Sequence, residues 1–512
     1  MSSRCRCCAL AVALCAIGAP APAVASSDAG VASLLAKHRA FVGWELGDGA
    51  FKTLRLTRAY VDDRGKTTQR TTELRVGIVY RNKSVYPDRG ATVEETGFTG
   101  NVFWSSNQNG FTTPLYGELA KFRLSYAVLA NEGTASLDAA AAGTATIDGK
   151  VFDVVRLDVP HADKIDVYVD PASGAYAKAV IDPGGDDETA VQILSYVQVL
   201  PGKRMIGAFR LGDGSIGTYS YTKIEPNVAV GDADLHPPSP RAAWTFANAK
   251  PFPVTVTPLR VLVDAFVNGV KGRFILDTGA SSIFLNESFA DRANLEKLNV
   301  TGTAVGLYGA QRADTRRADS IQIGGNTLRN LIVVAQDFNS ADYRGLDRQN
   351  YDGLLGYDVF AAAVIKLDFA SSTMTLSDPA VEQGDPAGLG VLTDTSGWIP
   401  TIPMTLNRSL AVDAMLDTGN PSTVVFGPDL LYKYHLRMAR NIGVRAGFGS
   451  VECGNLETLQ IGSITYYGEA ACKIDSPLVS GRKILLGLDF LRHFTVVFDY
   501  PRGRLFLQPM PR

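Results

Sequence analysis

Apolar and polar residues alternate with a period of two along residues 52–61, 72–80, 151–159, 164–169 and 192–199. That alternation predicts strands, each with one face on a core and the other toward solvent. Asp148-Gly149, Pro201-Gly202 and Asp213-Gly214 punctuate the series as turns. Ahead of the strands, Val31, Leu34, Leu35, His38 and Phe41 recur at helical spacing. They predict a short opening helix in which His38 packs rather than binds a metal. The alanine-rich residues 135–145 are read as a loop or a short helix. Residues 26–236 are therefore expected to form one β-rich domain, and no catalytic constellation occurs within it.

A proline-rich stretch follows, from Pro237-Pro238-Ser239-Pro240 to Pro251-Phe252-Pro253 and Pro258. Proline removes a backbone donor and breaks both helix and central-strand patterns, so residues 237–253 are expected to be a linker.

Beyond it the chain repeats itself. Phe274-Ile275-Leu276-Asp277-Thr278-Gly279 returns as Ala414-Met415-Leu416-Asp417-Thr418-Gly419, offset by 140. Thirty-one residues after each Asp stands an aromatic beside glycine, in Gly306-Leu307-Tyr308-Gly309 and in Gly447-Phe448-Gly449. An Ile-Gly turn comes next in each copy, at Ile323-Gly324 and Ile461-Gly462. The match closes with Leu354-Leu355-Gly356-Tyr357-Asp358 against Leu485-Leu486-Gly487-Leu488-Asp489, now offset by 131. A longer loop near residues 337–352 accounts for the nine extra residues of the first copy. Two units are expected, residues 254–380 and 381–512.

Charge narrows the choice of partners. Lys and Arg total 50 against 52 Asp and Glu, so no bulk field draws the chain to phosphate backbones, and nucleic acid is not expected as a partner. Arg4 and Arg6, an apolar run over residues 7–19, and Ala23-Val24-Ala25 before Ser26 read as a secretory signal cleaved after Ala25. The run is shorter than the ~20 residues a spanning helix needs. Neither Cys8 nor Cys15 follows the small residue that a lipid-anchored start requires. A secreted or periplasmic product with no transmembrane segment is expected, the latter in a cell with an outer envelope. Four of the six cysteines leave with the signal. Cys453 and Cys472 remain, an even pair in an oxidising compartment, and are expected to form a disulfide; two buried thiols are the alternative.

A single Asp-Thr-Gly is weak evidence, but two copies with matched landmarks are strong. Over residues 254–510 the chain resembles the aspartic peptidases, specifically the retropepsin-like type, fused as two repeats in one polypeptide. The resemblance implies a mainly β fold in which the N-terminal β-rich domain is followed by a bilobal pair of β-barrels. It also implies a monomer with both catalytic halves in one chain, a peptide or protein substrate, and no cofactor or metal. Asp277 and Asp417 would form the catalytic pair, one carboxyl removing a proton from water while the other donates to the scissile carbonyl. Thr278 and Thr418 would hydrogen-bond across the lobe junction, while Gly279 and Gly419 let the two loops approach. Two flaps would close over the cleft, with tips at Gly306, Tyr308 and Gly309 and at Gly447, Phe448 and Gly449. Ala280-Ser281-Ser282 fits the family after the first loop, whereas Asn420-Pro421-Ser422 puts a larger amide after the second.

The remaining hydrolase signatures are absent. With five histidines in all, the sequence contains no His-Glu-x-x-His, no Gly-x-Ser-x-Gly and no Walker loop. A reading from another class stays open: a non-catalytic peptide- or lipid-binding envelope protein on a pseudo-peptidase fold. In the N-terminal half, the opening helix with Tyr168-Val169-Asp170-Pro171-Ala172-Ser173-Gly174 and the meander after it resembles lipoprotein-carrier half-barrels, which bind acyl chains in an apolar cleft. Lipid or envelope contact, docking and service as a pro-segment are all open for that half.

Overall fold

The computed structural model describes residues 28–510 apart from 48–50, 88–91, 116, 131–136, 186–187, 213, 307–308, 339–350, 383–387, 396 and 447–448. Residues 1–25, read above as a secretory signal, lie outside the described residues. The chain is mainly β, with barrel and half-barrel sheets.

Thirteen strands of the N-terminal half make one antiparallel meander. Leu54–Val61 pairs on one side with Thr67–Val76 and on the other with Ile216–Pro226, and successive hairpins carry the sheet outward to Thr112–Leu115 at one edge and Asp138–Ile147 at the other. The opening helix, Asp28–Val42, buries Val31, Leu34 and Leu35. Within it His38 stacks on Tyr176 with ring centroids 3.5 Å apart, and its Nδ1 meets Gly174 O at 2.8 Å. That is the packing role its position predicts.

Two expectations for this half need correction, and one helix was not foreseen. The alanine-rich stretch is neither loop nor helix over its described part: Asp138–Ile147 is a strand paired with Lys150–Asp158. Its pairing is set by the turn, because Asp148 and Gly149 both take left-handed φ, 50° and 76°, as a tight hairpin requires. A second helix, Gly117–Ala130, links the two edge strands, and its signal was the spacing of the buried Ala120, Leu124 and Val128. On Thr67–Val76 the alternation gives the strand but not its inward face. Glu73 and Arg75 are buried and the apolar Leu74 and Val76 are not. Ion pairing offsets part of the cost of this burial, since Arg75 Nε lies 2.8 Å from Glu73 and Arg58 Nη2 3.7 Å from it.

The proline-rich stretch is not a loose tether. Ala243–Thr245 adds to the edge of Asn326–Gln336, and Phe252–Pro253 pairs with Thr373–Ser377.

The C-terminal half holds two nine-stranded sheets with the same inner arrangement. In the first, Val270–Leu276 runs parallel to Gly353–Leu355, which is antiparallel to Phe284–Asn286. In the second, Leu410–Asp417 runs parallel to Lys483–Gly487, which is antiparallel to Val424–Phe426. Phe274, Leu276, Leu285 and Leu355, and Ala414, Leu416, Phe426 and Leu486, are fully buried at equivalent places. A six-stranded sheet joins the two repeats, with Val364–Asp368 antiparallel to Phe494–Asp499.

Cys453 and Cys472 are register partners on the antiparallel strands Gly449–Asn455 and Ala470–Lys473, with Cα atoms 4.0 Å apart and sulfur atoms at bonding distance. They enclose Thr458–Ile461 and Ile464–Tyr467 and tie the hairpin Ala439–Ala446/Gly449–Asn455 to its sheet. Protein denatured without reductant should leave neither thiol open to alkylation, and replacing both cysteines with Ala should cost about 3 kcal/mol of stability in denaturant titration. Alkylation of both would show free thiols instead.

Candidate active site

Each Asp-Thr-Gly follows a strand whose inward residues are buried in the core, so the loop after it starts from a rigid base. Asp277 N bonds Leu355 O at 3.0 Å, and Asp417 is the register partner of Gly487. Both loops then turn alike: Ala280 N reaches Asp277 O at 3.2 Å and Asn420 N reaches Asp417 O at 3.1 Å. Next, Tyr357 N bonds Ala280 O at 2.9 Å and Leu488 N bonds Asn420 O at 2.7 Å. At Gly356 and Gly487 a Cβ would overlap the carbonyls of Ser282 and Ser422, so both closing strands need glycine where they pass the loop.

The threonines join the loops to each other. Thr278 Oγ1 donates to Leu416 O at 2.8 Å, and Thr418 Oγ1 donates to Leu276 O at 2.7 Å. Each hydroxyl also accepts the opposite backbone, Thr278 N to Thr418 Oγ1 and Thr418 N to Thr278 Oγ1, both at 3.0 Å. All four bonds are sealed from water. They bring the glycines against the facing carboxyls: a Cβ on Gly279 would lie 2.6 Å from Asp417 Cγ, and one on Gly419 would lie 2.5 Å from Asp277 Cγ.

Asp277 and Asp417 therefore meet, and their carboxyls share a hydrogen bond. Burial pushes Asp277 above the usual carboxylate range, opposed by its bond with Asp417 and by the charge of Arg260. Burial, then the charge of Asp277 and the bond between them, push Asp417 well above that range. Two buried carboxyls in contact cannot both ionise cheaply, so the pair retains one proton where isolated carboxyls have none. The arrangement can hold a water, take a proton from it and supply another.

Asn420 leaves the second loop in place, as the matched turns show. Its Oδ1 accepts from Ser422 N at 3.1 Å, and its buried Nδ2 has no hydrogen-bond partner, so it donates to neither carboxylate. Of the flap residues, Gly306 pairs with Gly309 and Ala446 with Gly449, so each segment is a hairpin. Tyr308, Gly447 and Phe448, expected above at the flap tips, lie outside the described residues. Among the described residues no group of three or more His, Cys, Asp or Glu could hold a metal ion, and no helix is long and apolar enough to cross a membrane.

The sequence reading missed Arg260, Asp358 and the N-terminal residues that reach this region. Asp358 is buried and accepts from Ser282 Oγ at 2.7 Å and Ile283 N at 3.0 Å, just beyond the first loop. Its place in the repeat was visible, but its burial was not.

Two outcomes follow from this packing. Gly279→Ala and Gly419→Ala should each part the carboxyls and destabilise the protein by roughly 1–3 kcal/mol, read as a shifted denaturant midpoint. Because the folded pair binds its proton more tightly than the unfolded chain, its contribution to stability is full below the ordinary carboxylate range, about pH 4, and is lost as pH rises through the raised value. Asp417→Asn should therefore unfold at a higher temperature than wild type near pH 7, with the difference vanishing in acid; calorimetry across pH checks this.

Residues 263–359 match a family model described as aspartyl protease. No curated protein matches the chain. The match spans the first Asp-Thr-Gly loop and its closing Leu-Leu-Gly strand, so residues 263–359 form an aspartyl protease-like region.

Proposed function

We propose that the chain is an aspartic endopeptidase that hydrolyses peptide bonds with a water activated between Asp277 and Asp417. The contact between two buried carboxyls, each pressed against the glycine of the opposite loop, carries this reading. The ionised member of the pair removes a proton from water as it attacks the peptide carbonyl, and the protonated member donates to the developing oxyanion. The carboxyl that took the proton of water passes it to the amide nitrogen, the other carboxylate takes a proton from a hydroxyl of the tetrahedral carbon as the C–N bond breaks and the carbonyl re-forms, and the pair again holds one proton. No covalent intermediate forms.

On this reading the two sheets of the C-terminal half are retropepsin-like lobes, residues 254–380 and 381–512, fused in one chain that acts as a monomer. The hairpins ending near Tyr308 and Phe448 are two flaps that close over an extended peptide and exclude water. The N-terminal leader directs the protein to the periplasm or the cell exterior, where residues 26–236 remain as a companion domain.

Turnover of a mixed peptide library, blocked by a statine-type transition-state mimic, tests the proposal. Asp277→Asn and Asp417→Asn should each lower kcat at least 10²-fold with the fold intact by circular dichroism. The rate should rise and then fall with pH, the acid limb marking full protonation of the pair and the alkaline limb loss of its last proton. Cleavage by Asp417→Asn at the wild-type rate would end the proposal.

A further inference from the structure

The two lobes treat one equivalent carboxylate differently. Asp489 bonds Thr423 Oγ1 at 3.1 Å, and its side chain is 57% exposed. Asp358, the same position in the first copy, is 0% exposed. The N-terminal half makes the difference. The turn between its strands Phe103–Ser106 and Thr112–Leu115 delivers Asn107 Nδ2 to Asp358 Oδ1 at 2.8 Å and Asn109 Nδ2 to the same oxygen at 2.9 Å. With Ser282 Oγ and Ile283 N on the other oxygen, the carboxylate has four donors, two from each half of the chain. A buried carboxylate satisfied in this way is left with unpaired lone pairs away from water if half of its partners are removed.

The turn is shaped for this contact. Asn107 Oδ1 accepts from Asn109 N at 2.9 Å and Phe111 N at 3.2 Å, which fixes the amide so that Nδ2 faces out of the turn. Asn109 is fully buried, and its side chain bonds both backbone groups of Ile332, accepting from N at 2.7 Å and donating to O at 3.0 Å. It fills the gap on Asn326–Gln336 between the stretches paired with Ala243–Thr245 and with Phe284–Asn286. Phe111 is buried in the core of the C-terminal half, and Thr113 bonds Thr395.

We infer that the N-terminal half is a permanent part of the active molecule and that Asn107 and Asn109 are positioning residues, which hold the first catalytic loop in register through Asp358. The carboxylate grips Ser282 and Ile283, immediately after the loop that begins at Asp277, and Tyr357 N holds Ala280 O from the adjacent residue. Withdrawal of the turn would leave Asp358 underbonded and expose Phe111. Such a turn is built into the fold and is not a prosegment surface meant to be released. The positioning role rests on the peptidase reading; the permanent association does not.

Two measurements on the full-length chain test the inference. In the Asn107→Ala/Asn109→Ala variant, the amides of Ile283 and Ile332 should exchange at least tenfold faster than in wild type, while amides of the second lobe are unchanged. Its kcat should fall tenfold or more with KM within twofold and the pH optimum unmoved, and in an Asp358→Asn background the same pair of substitutions should have little further effect. Unchanged exchange at both amides overturns the inference, and this holds even if the wild-type chain proves to have no peptidase activity. A site for a sequence-specific protease inserted between His236 and Pro237 gives the second arm. After cutting, the two pieces should co-elute on gel filtration and keep wild-type exchange at Ile283. Separation of the pieces, or a rise in activity on cutting, would identify a removable segment and refute permanence.

Discussion

Four hydrogen bonds between Thr278 and Thr418 and their opposing strands set the spacing on which the rest of the site depends. Each hydroxyl donates to one strand and accepts from the other loop, so neither loop can shift without leaving polar groups unpaired in a dry interior. Glycine is required beside each threonine because the spacing leaves no room for a Cβ next to the facing carboxyl. The raised proton affinity of the pair has the same origin: the lobes are held together hard enough to force two acids into contact away from water.

Around this symmetric centre the surroundings diverge. Ala280 faces Asn420 across the pseudo-two-fold relation, and sealed Asp358 corresponds to exposed Asp489. The first loop is also braced by the N-terminal half, through Asn107 and Asn109 on Asp358. The second has its own staple, Cys453 to Cys472, which secures the base of the second hairpin. Each lobe thus receives support absent from the other, while the shared six-stranded sheet holds them as a unit.

How much of this could be read from the residues depended on the range of the interaction. The paired Asp-Thr-Gly loops were legible because their chemistry repeats with matched landmarks, and the roles of Thr278 and Thr418 came with the resemblance that repetition supports. The contact of Asn107 with Asp358 was not, since asparagines in a turn carry an ordinary local explanation and the two residues are 251 positions apart. Local propensity misled at Asp138–Ile147, where pairing and a well-formed turn overrode alanine's weak preference for strands. At Glu73 and Arg75 the period was right and the inward face reversed, because oppositely charged side chains that pair can occupy an interior that hydropathy alone assigns to Leu74 and Val76.

The six-stranded sheet also orders events in time. Its members come from Phe252–Pro253 at one extreme and Arg504–Pro509 at the other, and Leu389–Leu392 is held by that last strand. Contacts of such sequence separation close late, after the loops between them have paid their entropy. A chain emerging from the ribosome can complete its N-terminal meander early, but the platform that joins the two lobes waits for the final strand. Destructive chemistry, on the function proposed above, is thereby withheld until the strand Arg504–Pro509 has been made, with topology serving as the timer.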